Sequence, residues 1–156
     1  MILSSVSKIL DPLGWLVPFI IGAKILIHSF WTFRISWDDP VPEEIDKKWT
    51  VFRDQLHHLK SIRVPRRVLL PNTTKIKIYA FCDASEKAYA AVIYLKLIND
   101  SSISDKLLTS KTRVAPLKTV SIQRLELCSA LLLSHLVQAV LNSLKIQIDS
   151  TYTWID

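Results

Sequence analysis

The chain of 156 residues carries 20 Lys and Arg against 14 Asp and Glu, a formal charge of +6, and 49% of its residues are hydrophobic. That length suffices for one domain with a core, or a small domain with an appendage, and the composition is that of a folded chain. The two glycines, Gly14 and Gly22, cannot write a phosphate-cradling or dinucleotide-binding loop, and the two cysteines, Cys82 and Cys128, form no C-x-x-C pair.

Residues 1–32 are apolar and read as helical, broken by the "DPLG" turn at 11–14 and by Pro18. The most apolar stretch, 13–27, falls short of the roughly 20 residues that span a bilayer and contains Pro18 and Lys24. It also lacks a basic leader and a small-residue cleavage pattern, so a buried helix pair is expected in place of a membrane span or signal peptide. Residues 38–42 form a breaker, after which Glu43 and Glu44 open a helix over 42–59 near its positive end. Ile45, Trp49, Phe52, Leu56 and Leu59 make one apolar stripe along that helix, more a core face than a binding surface. "RVPRR" and "LLPNTTK" follow as an irregular basic connection that includes Arg66 and Arg67.

Near Lys75 the period changes. Ile76, Ile78, Ala80 and Cys82 alternate with Lys75, Lys77, Tyr79, Phe81 and Asp83, which is a strand pattern. "ASEK" reads as a turn, 88–98 as a second strand rich in Val, Ile and Tyr, and 106–115 as a third after the polar "NDSSISD". These three predict an antiparallel meander. From 121 to 145 the period is helical, with Leu125, Cys128, Leu132, Leu136 and Ala139 on one face. Leu131, Leu133, Val137, Val140, Leu141 and Leu144 widen that face, so a mostly buried helix is expected. "TYTWID" reads as a fourth strand, parallel to an earlier one because it follows a crossover helix.

The fold class implied is α/β with a mixed sheet. In such a fold Asp83 ends the first strand, Glu126 lies in the first turns of the long helix and Asp156 ends the fourth strand. If strands one and four are neighbours, the two Asp carboxylates approach and Glu126 reaches down to them. Three converging carboxylates repel unless a cation lies between them, and hard oxygen ligands suit Mg²⁺, with Mn²⁺ as its substitute. Ordinary roles compete at each position: an Asp before a turn serves the turn, and an acid near a helix N-terminus serves the dipole. Arg66, Arg67, Lys111, Arg113 and Arg124 are candidate phosphate-backbone contacts, against the plain alternative of solvated charge. An aspartic peptidase needs two D-[ST]-G turns, and Asp83-Ala84-Ser85 supplies neither the hydroxyl nor the glycine. His28, His57, His58 and His135 form no legible triad and read as surface or packing residues.

Several phrases then carry more than periodicity does: "SKILDPLGWLVP" at 7–18, "WDDPVPEE" at 37–44, "FCDASEKAYAAVIY" at 81–94, "SKTRVAPLKTVSIQRLELCSALLLSHL" at 110–136 and "TWID" at 153–156. In this order, over almost the whole chain, they resemble the BEL/Pao class of retrotransposon polyproteins. That region is often labelled a Pao retrotransposon peptidase, although its last part resembles a ribonuclease H. The resemblance implies a helical thumb or connection segment of a reverse transcriptase at 1–70 and the N-terminal part of a ribonuclease-H-like domain at 75–156. It implies that Asp83 ("FCDAS"), Glu126 ("RLEL") and Asp156 ("TWID") bind two Mg²⁺ ions and direct hydrolysis of the RNA strand of an RNA/DNA hybrid. Implied partners are the hybrid or another nucleic acid and the remaining polyprotein segments, with no membrane. The implied location is intracellular, in the cytoplasm (in a virus-like particle) or in the nucleus, and not secreted.

Departures matter to activity. Ribonuclease H enzymes use a fourth acid downstream, usually with a nearby His, and the fragment stops at the third acid. "WDDP" does not match the polymerase Y-x-D-D hairpin. Gln123 stands where the family commonly has Pro, and Ala90 where it often has Gly. The expectation is a chain of weak or no activity by itself, with a non-catalytic nucleic-acid-binding module or a retroelement remnant as the alternatives.

Overall fold

An aspartate sets the start of the first long helix. The computed structural model describes residues 2–36, 38–65 and 67–155. After the short helix α1 (Ile2–Val6) the chain turns at Asp11, whose carboxylate accepts from Trp15 N and Leu16 N, both at 2.8 Å. Helix α2 (Val17–Thr32) follows. Pro18 was expected to break a helix, yet it sits in the first turn of α2, where its missing N–H leaves nothing unpaired. The helix ends with Arg34 at φ 53°, Arg34 N donating to Trp31 O at 3.1 Å and Ile35 N to Phe30 O at 3.0 Å. This is the paired-bond stop that usually carries glycine.

Helix α3 (Glu43–Gln55) runs on into a 3₁₀ turn, Leu56–Ser61, so the expected helix tightens in its last part. Its exposed face carries the i,i+4 pairs Glu43–Lys47 and Glu44–Lys48, which add little because they are solvated. The Lys48 ammonium, by hydrogen bond and charge, holds the Glu44 carboxyl below its ordinary value. Its inner face buries Ile45, Trp49 and Phe52 against Ala23 and Leu26 of α2, and the Phe19 and Phe52 rings stack at 4.4 Å.

A second apolar cluster lies on the sheet. Strands β1 (Lys75–Ala84), β2 (Ala88–Ile98), β3 (Ile103–Val114) and β4 (Ser150–Ile155) stand in the order β3-β2-β1-β4. β1 to β3 form the antiparallel meander, and β4 lies parallel to β1 with Lys77 opposite Ser150 and Cys82 opposite Ile155. β3 begins at Ile103, earlier than expected, because the Asn99 side chain closes the turn by accepting from Ser101 N and Ser102 N.

Helix α4 (Ile122–Ser143) is the crossover and packs mainly on β1 and β2. It buries Leu125, Ser129, Leu132 and Leu133, and the cluster beneath holds Ile78, Ala80, Cys82, Ile93, Leu95 and Leu97. The expectation of a mostly buried helix is corrected. Leu127 is 71% and Leu131 57% exposed, and Ser129 takes the buried position in place of Cys128. Only one flank of the helix meets the sheet, so the apolar residues beyond that flank face outward.

The outer edge of β3 is covered. A bulge between Ile93 and Tyr94 leaves Leu108 as the extra residue of β3, and its carbonyl accepts from Trp15 Nε1 at 3.0 Å. Beside it, Leu13 O accepts from Ser110 N at 3.0 Å and from Thr109 Oγ1 at 2.8 Å. Gly14, buried here at φ 74°, lets the backbone approach this closely, and Ser110 Oγ donates to its carbonyl. The "DPLG" turn therefore fastens the helical half to the sheet.

Candidate active site

Strand polarity gathers chemistry at one end of the sheet. β1 and β4 point their carboxyl ends there, β2 starts there, β3 finishes there, and α4 begins after the short loop that follows β3. This is the end at which open α/β sheets ordinarily bind ligands.

Asp83 is the second-last residue of β1 and is exposed. Its alternation with buried Cys82 puts it on the face away from α4, shared with Tyr79 and Phe81. Its Oδ1 accepts from Ala84 N at 2.6 Å, which fixes the carboxylate against the strand end. The following turn closes by Ser85 N donating to Ala88 O at 2.8 Å. Asp83 borders a shallow hollow of about 430 Å³ whose other walls include Phe81, Ala90, Val92, Trp154 and Ile155. Glu126, in the second turn of α4, is half-buried and is not among those walls. Neither carboxylate forms an ion pair among the described residues. Asp156 and Arg66 lie outside the described residues. Among those that are described, no three Asp, Glu, His or Cys side chains converge as a metal-binding group.

Cations surround this end. Lys111 and Arg113 project from the last residues of β3, and Arg124 from the first turn of α4, all exposed. Two more come from the adjoining turns: Lys87, whose carbonyl accepts from Ala115 N at 2.9 Å, and Lys118 in the loop before α4. Reading the sequence missed Lys87. The available signal was a basic residue in the tight turn directly after a candidate acid. Arg67 is exposed in the connection leading to the opposite end, where β1 starts, so the structure does not bring it to this group.

A family model described as the Pao retrotransposon-like RNaseH-like domain matches residues 1–156. The chain belongs to this family. The mixed four-stranded sheet with its crossover helix is accordingly a ribonuclease-H-like fold of the Pao retrotransposon type. Among solved structures, the foamy viral protease-reverse transcriptase in complex with dsDNA aligns at 14% identity with a TM-score of 0.43. That alignment covers 97% of this chain and 32% of the viral one. No curated protein matches.

Proposed function

We propose that Asp83, Glu126 and Asp156 form the divalent-metal site of a ribonuclease H centre. In the parent polyprotein this centre hydrolyses the RNA strand of an RNA/DNA hybrid. One observation carries the reading: Asp83 stands at the carboxyl end of a central strand, where β4 ends and α4 begins, in a chain of the RNaseH-like family.

The donor set fits the metal. Carboxylates are hard oxygen ligands, and Asp83 and Glu126 have no cation paired to them among the described residues. Asp156 directly follows Ile155, whose register partner is Cys82, the residue before Asp83. Bound Mg²⁺, or Mn²⁺ in its place, supplies a water acidified for attack and charge to neutralise the departing oxygen. The chain's own part is to hold and orient. Asp83 is steadied by Ala84 N, and Glu126 is carried by a helix anchored through Leu125 and Ser129. Lys87, Lys111, Arg113, Lys118 and Arg124 hold phosphates of the hybrid by charge.

A second reading rests on the same cations. They gather at this end whether or not three acids close on a metal, so a chain that binds hybrid without cutting it is a nucleic-acid-binding module or a remnant of the parent. The test is cleavage of an end-labelled RNA/DNA hybrid by the purified chain in Mg²⁺ and in Mn²⁺, with Asp83→Asn and Glu126→Gln beside it. Metal-dependent cutting lost in both variants establishes the enzyme. Binding without cutting by a folded chain establishes the module.

A further inference from the structure

The turn that follows Asp83 is held by more than its backbone. Ser85 N donates to Ala88 O at 2.8 Å. The Ser85 hydroxyl adds two bonds across the same turn, donating to Ala88 O at 3.0 Å and accepting from Ala88 N at 3.2 Å. A serine side chain bonded to the backbone in this way locks a turn from within. From outside, Lys87 O accepts from Ala115 N at 2.9 Å, which fastens the turn to the residue after β3. Lys87 therefore stands on backbone tied on both sides. Its side chain is exposed and forms no ion pair among the described residues, even with the adjacent Glu86.

We propose that Ser85 is a positioning residue for nucleic-acid binding: its hydroxyl holds the 85–88 turn so that Lys87 grips one backbone phosphate of the hybrid beside the Asp83 carboxylate. The inference rests on the reading that hybrid binds at this end of the sheet, and it does not require cleavage. An exposed lysine on a loose turn is a diffuse charge, and binding an anion must first order both the turn and the side chain. Fixing the backbone in advance removes the first of those costs. The neighbours suit a phosphate backbone. Ala88 faces Val114 and Tyr89 faces Arg113, so the Lys87–Ala115 bond lies two rungs from Arg113. Diagonal cross-strand neighbours are about 7–8 Å apart, close enough for two cations to serve one stretch of a polyanion. An exposed carboxylate at Asp83 repels phosphate, and a cation fixed four residues further along the same hairpin offsets that repulsion. Ser85 acts through Lys87, so its removal matters only while the lysine is present.

Fluorescence anisotropy of a labelled RNA/DNA hybrid, titrated with the purified chain at several salt concentrations, tests it. Divalent metal is left out so that nothing is cut, and circular dichroism confirms that each variant is folded. Lys87→Ala should lower the slope of log affinity against log salt by about 1. Ser85→Ala should weaken binding about threefold, the cost of ordering the freed turn, and Ser85→Thr, which keeps the hydroxyl, should restore it. In a chain already carrying Lys87→Ala, Ser85→Ala should weaken binding no further. Glu86→Gln, in the same turn, should not weaken it. If Ser85→Ala does not fold, Ser85→Cys, a weaker donor, takes its place. An unchanged slope in Lys87→Ala overturns the proposal, and so does a Ser85→Ala loss of equal size with and without Lys87. Either result leaves hybrid binding at this end standing. A folded chain that binds no hybrid overturns the proposal together with the reading beneath it.

Discussion

Replacing Gly14 with alanine tests whether the N-terminal turn fastens the two halves. A Cβ at Gly14 would overlap the carbonyl oxygen of Ser110 and lie 2.7 Å from its carbonyl carbon, and both are backbone atoms that cannot swing aside. The turn must therefore lift off β3. Lifting it breaks the bonds from Ser110 N and Thr109 Oγ1 to Leu13 O and from Trp15 Nε1 to Leu108 O. Three such bonds are worth about 1 kcal/mol each, and alanine in the left-handed region adds about 1 more. With some rebonding to water, the expected loss is about 2–4 kcal/mol, or roughly 1–2 M in the urea midpoint. Urea unfolding and amide exchange are the assays. Ser110 N–H should lose protection, while Ile78 and Ile93 in the middle of the sheet keep theirs. A midpoint equal to that of the unsubstituted chain, with Ser110 still protected, refutes the reasoning.

Arg34→Gly should stabilise the chain by about 1 kcal/mol in the same urea assay, because Arg34 sits at φ 53° in the stop of α2. Ile93→Ala, at a wholly buried position beneath α4, should cost about 2–5 kcal/mol, and a loss under 1 would contradict the core assignment. Leu127→Gln should change stability by no more than about 0.5 kcal/mol, since that side chain is 71% exposed, and a large loss would restore the mostly buried helix. The double substitution Lys111→Ala and Arg113→Ala should flatten the log–log salt dependence of hybrid binding by up to about 2, since each phosphate left without its cation lowers the slope by roughly 1. An unchanged slope would place the nucleic acid elsewhere.

Local pattern was enough for the elements. Alternation over 75–83 reports a strand with one covered face, and Ile78, Ala80 and Cys82 are indeed buried beneath α4. The crossover from α4 to β4 demanded a parallel neighbour, and the pairing of β4 with β1 supplies it. Asp83 was legible too, because a strand's period of two states which face each residue takes. Where expectation failed, a partner distant in sequence decided the outcome. Periodicity shows which residues of α4 are apolar but not how many the sheet can reach, so Leu131 and Leu141 looked buried and are not. Pro18 looked like a breaker because its meaning depends on the turn it occupies. The stop at Arg34 was invisible because a residue other than glycine holds the left-handed position.

By itself the sequence determined the order of helices and strands, the face of each strand and the acids worth considering, since these follow from short-range period and residue type. Tertiary structure alone decided three further matters. It brought Lys87, Lys111, Arg113, Lys118 and Arg124 to the end of the sheet that holds Asp83. It turned "DPLG" from a plain turn into the clasp on β3. It also left Leu127 and Leu131 of α4 exposed. Each depends on contacts between segments far apart along the chain, and no local periodicity encodes where those segments meet.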